Sequence, residues 1–129
     1  MAWVYLVLAL AVLFYIGLIS LVGHMRRKHG IMAPACAGHP EFERAFRVQQ
    51  NTMEQLVVFL PMDYFFAQLV SPLWAALLGL VWVLGRLLYA YSYLKDPATR
   101  APGMLMTGLT TLLLTLGVVI DVVIELTRA

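Results

Sequence analysis

A dense polar segment, residues 43–55, leads into a run that is almost entirely apolar. Its sequence, ERAFRVQQNTMEQ, continues into LVVFLPMDYFFAQLV. Arg44, Arg47, Asn51 and Glu54 follow one another at spacings of three, four and three residues, so on an α-helix they share one face. Guanidinium groups bind carboxylates through paired hydrogen bonds, and the asparagine amide adds neutral ones. This face predicts a site for an anionic, peptide-like ligand.

A second polar face follows in GRLLYAYSYLKDPATRAP, where Arg86, Tyr89 and Tyr93 are spaced three and four residues apart. Arg100 lies in the loop that comes next. A glutamate inside an apolar span is costly unless it is paired, which makes Glu54 a candidate functional residue. A structural alternative is that Glu54 neutralises Arg86 or Arg47 within the bundle, and that role is compatible with ligand binding.

Other kinds of chemistry find little support in the sequence. There is no cysteine–histidine metal cluster, no Ser/His/Asp set and no glycine-rich phosphate loop, so we expect no bound metal. The three histidines, His24, His29 and His39, have no ligand-like spacing and are interpreted as solvated loop residues. The single cysteine, Cys36, excludes an internal disulfide, and it is read as an incidental loop residue or a reactive thiol. The net charge of +2 gives no reason to expect nucleic acid.

The composition indicates an integral membrane protein. Hydrophobic residues make up 62% of the 129 residues and charged residues 12%, against about 45–50% and about 25% in soluble domains. We predict a single all-α domain over residues 1–129 with four spans, at about 2–23, 42–69, 73–94 and 103–125. The second span is long enough only if its helix begins inside the polar segment, since a span needs about 20 residues. That arrangement places the polar segment at a membrane boundary.

The charges of the loops predict the orientation. The loop after the first span and the loop after the third are basic, whereas the link at Ser71–Pro72 is uncharged. The positive-inside bias places both basic loops, and with them the site, at the cytoplasmic face and both termini on the opposite side. Because Arg26, Arg27 and Lys28 follow the first apolar run instead of preceding it, that run is predicted to be a retained span and not a signal peptide. The simple loops favour a bacterial inner membrane.

The two polar blocks together resemble a known family. PEFERAFRVQQNTMEQ is similar to the R-x-Q-x-N-x-x-E signature of the membrane-associated proteins in eicosanoid and glutathione metabolism, the MAPEG family, with Arg47, Gln49, Asn51 and Glu54 in place. GRLLYAYSYLKDPATRAP resembles the second block of that family. The resemblance covers nearly the whole chain and is strongest to the branch of microsomal glutathione transferases and leukotriene C synthase.

The resemblance implies a four-helix membrane bundle that assembles as a homotrimer and uses glutathione as a co-substrate. The tripeptide would lie between neighbouring subunits, and a lipophilic electrophile would arrive from membrane lipid. Arg100 and Arg27 would be the catalytic residues, with Arg100 at the sulfur and Arg27 on the electrophile side. The glutathione-binding residues implied by the resemblance are Arg47, Asn51, Glu54, Tyr89 and Tyr93 from one subunit, with Arg26 and Gln49 from the next. Gln55 is added to this set, although the family often has a tyrosine there.

Four positions depart from the family pattern. Gln55 and Val57 stand where the family often has a tyrosine and a proline, and Pro61 lies about one turn further along. Gln55 retains the capacity to hydrogen-bond. Asp63 lies in the apolar part of the second span and matches no family role.

The predicted activity is therefore that of a membrane-bound glutathione transferase, with glutathione peroxidase activity as a possible addition. Two alternatives stay open. One is a non-catalytic, lipid-presenting scaffold of the same family, like the five-lipoxygenase-activating protein. The other is a small transporter or channel subunit in which Glu54, Asp63 and Arg86 form a charge relay.

Overall fold

The chain folds into four long helices. A computed structural model describes residues 1–129, with α1 at Ala2–His29, α2 at Pro40–Leu69, α3 at Pro72–Lys95 and α4 at Ala101–Arg128. A single turn of 3-10 helix, Pro97–Thr99, joins α3 to α4. The predicted all-α fold with four helices is confirmed. α1, α3 and α4 are each long and apolar enough to cross a membrane.

Local sequence signals set the helix ends. α1 continues past the predicted end at residue 23 and stops at Gly30, which adopts a left-handed conformation (φ 65°) with its amide bonded to the Arg26 carbonyl; glycine takes this conformation without strain. α2 begins after His39, whose ring nitrogen accepts the Glu41 amide. α3 begins after Ser71, whose hydroxyl accepts the Trp74 amide. Polar residues at these positions satisfy amides that have no partner within the helix.

α2 begins at Pro40, so it includes the whole polar segment, residues 43–55. The helix runs for 30 residues and continues through Pro61. Its first half therefore carries the polar face, and its second half joins the apolar core. The two halves lie on one continuous helix, which fixes the polar side chains relative to the core.

The core is formed by apolar side chains from all four helices. Val4 of α1, Phe59 of α2, Trp82 of α3 and Leu114 of α4 are completely buried. The rings of Phe59 and Trp82 are stacked, with centroids 4.1 Å apart and an interplanar angle of 5°. Large apolar side chains also cover the outside of the bundle, for example Leu126, which is 70% exposed. An apolar exterior of this kind is suited to contact with lipid.

Successive helices run in opposite directions. The two termini and the α2–α3 link therefore lie at one end of the bundle, and the other two connections lie at the opposite end. Met1 and Pro72 line one cavity at the end that carries the α2–α3 link. The α1–α2 and α3–α4 connections lie at the other end, which we call the loop end. The polar blocks of the sequence meet at the loop end.

Candidate functional site

A polar cavity of about 320 Å³ opens at the loop end between α2, α3 and the start of α4. Most of the predicted site residues line it. The lining consists of Arg47, Asn51, Glu54, Tyr89, Tyr93, Arg100 and Met104. The structure thus brings together, within one chain, residues that are up to 57 positions apart in the sequence.

The α2 wall follows from helical spacing. Arg47, Asn51 and Glu54 share the face of α2 that borders the cavity. Arg47 and Glu54 are exposed and Asn51 is half-buried. Glu54 forms no ion pair with Arg47 or Arg86. The two ion pairs within the chain both have Glu41 as their acidic partner. The structural alternative in which Glu54 neutralises one of these arginines is therefore wrong for the isolated chain, and the carboxylate is free for a ligand.

The α3 wall consists of two tyrosines. The ring centroids of Tyr89 and Tyr93 are 5.6 Å apart, with the planes tilted by 33°. Tyr89 is buried, whereas Tyr93 is half-buried. The two phenols give the cavity neutral hydrogen-bonding groups next to its cationic ones.

The connection between α3 and α4 holds Arg100 at the cavity mouth. The Asp96 side chain accepts the Ala98 amide at 3.1 Å. The Thr99 hydroxyl lies 2.8 Å from the Asp96 carbonyl and 3.1 Å from the Ser92 carbonyl, and the Arg100 side chain donates to the Pro97 carbonyl at 2.8 Å. An Asp-Pro pair after a helix is a sequence signal for such a turn. The roles of Asp96 and Thr99 were not predicted, although that signal was present.

Arg86 lies behind the cavity, not in it. Its side chain is completely buried, and its Nη2 group donates to Asn51 Oδ1 at 3.0 Å and to Thr52 Oγ1 at 2.7 Å. Its guanidinium carbon lies 4.2 Å from the centre of the Tyr89 ring. The second polar face predicted from the sequence is therefore divided: Tyr89 and Tyr93 border the cavity, and Arg86 supports it.

The remaining predicted site residues lie outside this cavity. Arg26 donates to the Ala35 carbonyl at 2.8 Å and lies over the Phe42 ring, and Arg27 is exposed. Gln49 and Gln55 are half-buried on other parts of the α2 surface. Within one chain these four residues do not meet the cavity-lining set.

Arg44 borders a second cavity beside the first. This cavity, of about 460 Å³, also includes Cys36 and Glu43 and shares Arg47 and Tyr93 with the first one. The sequence predicted that Arg44 and Arg47 share one face of α2, and both line this second cavity. Only Arg47 also lines the first cavity. The two cavities together form a continuous polar region at the loop end.

His39 is an exposed residue outside the helices, as interpreted from the sequence, whereas His24 and His29 lie on α1 and not in a loop; His24 is exposed and His29 is half-buried. His29 ends α1 and His39 precedes α2, and their rings are stacked with centroids 3.7 Å apart. Next to them, Lys28 Nζ lies 2.8 Å from Glu41 Oε1, and this hydrogen bond lowers the pKa of the Glu41 carboxyl below its ordinary value. These contacts join the end of α1 to the start of α2, and so they help to fix the polar half of α2.

The cavity contains two exposed arginines, one carboxylate, one amide and two phenols. Such a set is chemically complementary to a ligand that carries more carboxylate than ammonium groups and has peptide groups as neutral donors and acceptors. Glu54 is the only acidic side chain in the lining. The apolar wall is provided by Met104.

The sequence of this chain is similar to those of several known proteins. The sequence model of the MAPEG family matches residues 4–120. An uncharacterized protein, sll1147, of Synechocystis is 42% identical over 124 residues, which cover 96% of this chain and 90% of that protein. Human microsomal glutathione S-transferase 2 is 38% identical over 97 residues, or 74% of this chain and 66% of the human protein.

Leukotriene C4 synthase of Cavia porcellus is more distant. It is 36% identical over 75 residues, which cover 58% of this chain and 50% of that enzyme. The chain thus matches about half to two thirds of the length of these two named enzymes, and nine tenths of the cyanobacterial protein.

Proposed function

Because the chain belongs to the MAPEG family, we propose that it is a membrane-bound glutathione transferase that joins the glutathione thiolate to lipophilic electrophiles. The names of its relatives include glutathione S-transferases, which supports glutathione as the co-substrate. The observation that carries the proposal is the convergence of Arg47, Asn51, Glu54, Tyr93 and Arg100 on one polar cavity.

The groups of glutathione match the groups of the cavity. The tripeptide carries two carboxylates, one ammonium and two peptide bonds. The arginines suit the carboxylates, Glu54 suits the ammonium, and Asn51 and the tyrosines suit the peptide groups. This match supports a tripeptide more strongly than a lipid alone, because a lipid tail would leave these polar groups unpaired.

Arg100 is the residue that we propose to act at the sulfur. The thiolate is the nucleophile, and a free cysteine thiol has a pKa of about 8.5, so most of it is protonated at neutral pH. A guanidinium beside the sulfur stabilises the thiolate and lowers the pKa of the glutathione thiol. The thiolate then forms a carbon–sulfur bond to the electrophile, and the leaving group or the opened ring takes the displaced electron pair.

Two of the remaining proposed residues would act from a neighbouring subunit. Arg26 and Gln49 lie outside the cavity of their own chain, which is compatible with a homotrimer in which they reach the glutathione of a neighbour. Arg27 would then lie on the electrophile side. Gln55, half-buried on α2, would supply one hydrogen bond where the family often has a tyrosine.

The position of the cavity supports a division of entry routes. It opens at the loop end, which the positive-inside bias places at the cytoplasmic face. Glutathione would enter from water and the electrophile from the bilayer, through the apolar exterior of the helices. We propose a bacterial inner membrane as the location, with both termini on the opposite side.

The test is turnover by the purified chain. In detergent, addition of glutathione should produce thiolate absorbance, and a chromogenic aryl halide should then be conjugated at a rate that depends on the enzyme. The proposed peroxidase activity is measured separately, as reduction of a lipid hydroperoxide to the alcohol and water with oxidation of two glutathione molecules to their disulfide. If the wild-type chain binds no glutathione, the proposed enzyme activity is wrong, and if it binds glutathione without turnover of any electrophile class, a binding role replaces catalysis.

A further inference from the structure

The Asn51 side chain has a fixed orientation that Arg86 imposes. The Nη2 group of Arg86 lies 3.0 Å from the terminal oxygen of Asn51. A guanidinium group has only donors, so the Asn51 atom that faces it must be the amide oxygen. The donors of Arg86 therefore fix which way the Asn51 amide is turned.

The orientation of Asn51 determines which atom of its amide can contact a ligand in the cavity. Asn51 lines the cavity, and its oxygen is occupied by Arg86, so the Nδ2 group is the part of the amide that remains for a ligand. The cavity then presents N–H donors at this point. A carbonyl or carboxylate oxygen of the ligand fits there.

Arg86 is held so that it can impose this orientation. It is completely buried, its Nη2 group also donates to Thr52 at 2.7 Å, and its guanidinium lies over the Tyr89 ring. Its other two guanidinium nitrogens, Nε and Nη1, are buried without a partner within the chain. Burying a charged group with unpaired donors opposes folding, so a contribution to stability alone is a poor explanation for an arginine here.

We propose that Arg86 is a positioning residue for the ligand site: it takes up the oxygen of Asn51 and so makes the amide a donor toward an acceptor group of the bound tripeptide. This inference rests on the proposed function. Arg86 itself is not part of the cavity lining and acts through Asn51.

The first test is a double-mutant cycle on glutathione affinity, measured by calorimetry on chains purified in detergent. Arg86→Gln should weaken glutathione binding by about 10- to 100-fold, because a ligand hydrogen bond to a correctly oriented amide is lost. In the Asn51→Ala background the amide through which Arg86 acts is absent. Arg86→Gln should therefore alter glutathione affinity there by no more than about twofold, which is the usual error of additivity. An equal loss in both backgrounds would show a general packing role and overturn the inference.

A matched control uses another buried polar residue of the same helices. Asp63 is completely buried on α2 and has no hydrogen bond to Asn51 or Arg86. Asp63→Asn should leave glutathione affinity within about twofold of the wild-type value. A loss as large as that of Arg86→Gln would mean that any change in the buried core disturbs the cavity, and would overturn the inference.

A second variant decides the question even where Arg86→Gln does not fold. Asn51→Asp gives Arg86 a carboxylate partner, so the thermal unfolding temperature should be equal to or above that of the wild type. The same change replaces the donor with an acceptor on the cavity side, and glutathione affinity should fall by more than about 100-fold. Retained affinity would overturn the inference.

The wild-type titration separates the two proposals. A chain that binds no glutathione overturns the proposed function and this inference together. Glutathione binding by the wild type without coupling between residues 86 and 51 overturns the inference alone.

Discussion

Gly103 of α4 lies directly against the main chain of Tyr89 on α3. A Cβ atom at residue 103 would be 2.5 Å from the Tyr89 amide nitrogen and 2.7 Å from its Cα. Tyr89 forms part of the cavity wall, and Gly103 comes one turn after Arg100. This contact between helices therefore sets how close Arg100 comes to the tyrosines.

Gly103→Ala is predicted to disturb both stability and the site. The added methyl group has no space, so α4 must move away from α3, at a cost of about 1–3 kcal/mol in the free energy of unfolding. Arg100 moves with α4, and glutathione affinity should fall. Gly108 is the matched control because a Cβ atom added there would have no other atom within 4 Å. Thermal unfolding in detergent should show Gly108→Ala to be as stable as the wild type; equal effects of the two substitutions would contradict the role of this contact.

Arg100→Ala is predicted to lower turnover more than binding. Loss of one positioned donor to an anion in an enzyme's oxyanion hole costs about 100-fold in rate, and we expect a loss of similar size here. The thiolate absorbance that appears on mixing with glutathione should also decrease at neutral pH. Arg128→Ala removes a charge at the other end of α4, in a cavity with Asp121 and Glu125, and should leave turnover unchanged. Full activity of Arg100→Ala would exclude Arg100 as the residue at the sulfur.

Asp63→Asn is predicted to preserve conjugation. Neither oxygen of this buried carboxyl has a hydrogen-bond partner, and an unpaired charge at this depth would be costly. The amide has the same shape without a charge, so the free energy of unfolding should be unchanged or higher, by up to about 3 kcal/mol. Turnover and ion flux in liposomes are the measurements. A flux that requires Asp63, with no thiol chemistry, would instead support a transporter.

The contact between α1 and α2 predicts a small effect of pH on stability. The hydrogen bond from Lys28 lowers the pKa of Glu41 in the folded chain. The ionised form is therefore favoured by folding, and its contribution is complete above the ordinary glutamate pKa of about 4.3. It is lost as the pH falls through the lower pKa of the folded state.

Thermal unfolding of Glu41→Gln tests this. The unfolding temperature of the variant should be slightly below that of the wild type at neutral pH, and the difference should disappear well below about pH 4. High salt should reduce it too, because the pair is exposed. A difference that persists at acid pH would show that the ion pair is not its cause.

Helical spacing predicted much of this molecule because its physical basis is local. The faces of α2 and α3 follow from the 3.6-residue period, and both faces reach the same cavity. The length of α2 followed from the thickness of a membrane, since the apolar part alone was too short. Arg100 was placed near the site by the charge of its loop, although the turn that holds it, at Asp96 and Thr99, was not recognised.

Contacts between helices were harder to predict. The sequence placed Arg86 and Glu54 at similar depths and allowed them to pair, but the rotation of α3 directs Arg86 to Asn51 and Thr52. The stacking of His29 on His39 depends on the path of a loop, which periodicity does not describe. Arg26, Arg27, Gln49 and Gln55 have proposed roles that involve a neighbouring subunit or the electrophile, and these roles stay predictions.

The most direct measurement is an experimental structure of the chain determined with glutathione in a membrane mimetic. We predict density for the tripeptide against Arg47, Asn51, Glu54 and Tyr93, with the sulfur beside Arg100 and one acceptor oxygen at Nδ2 of Asn51. Density for a lipid or detergent tail in this cavity at saturating glutathione, with no tripeptide bound there, would contradict the central claim.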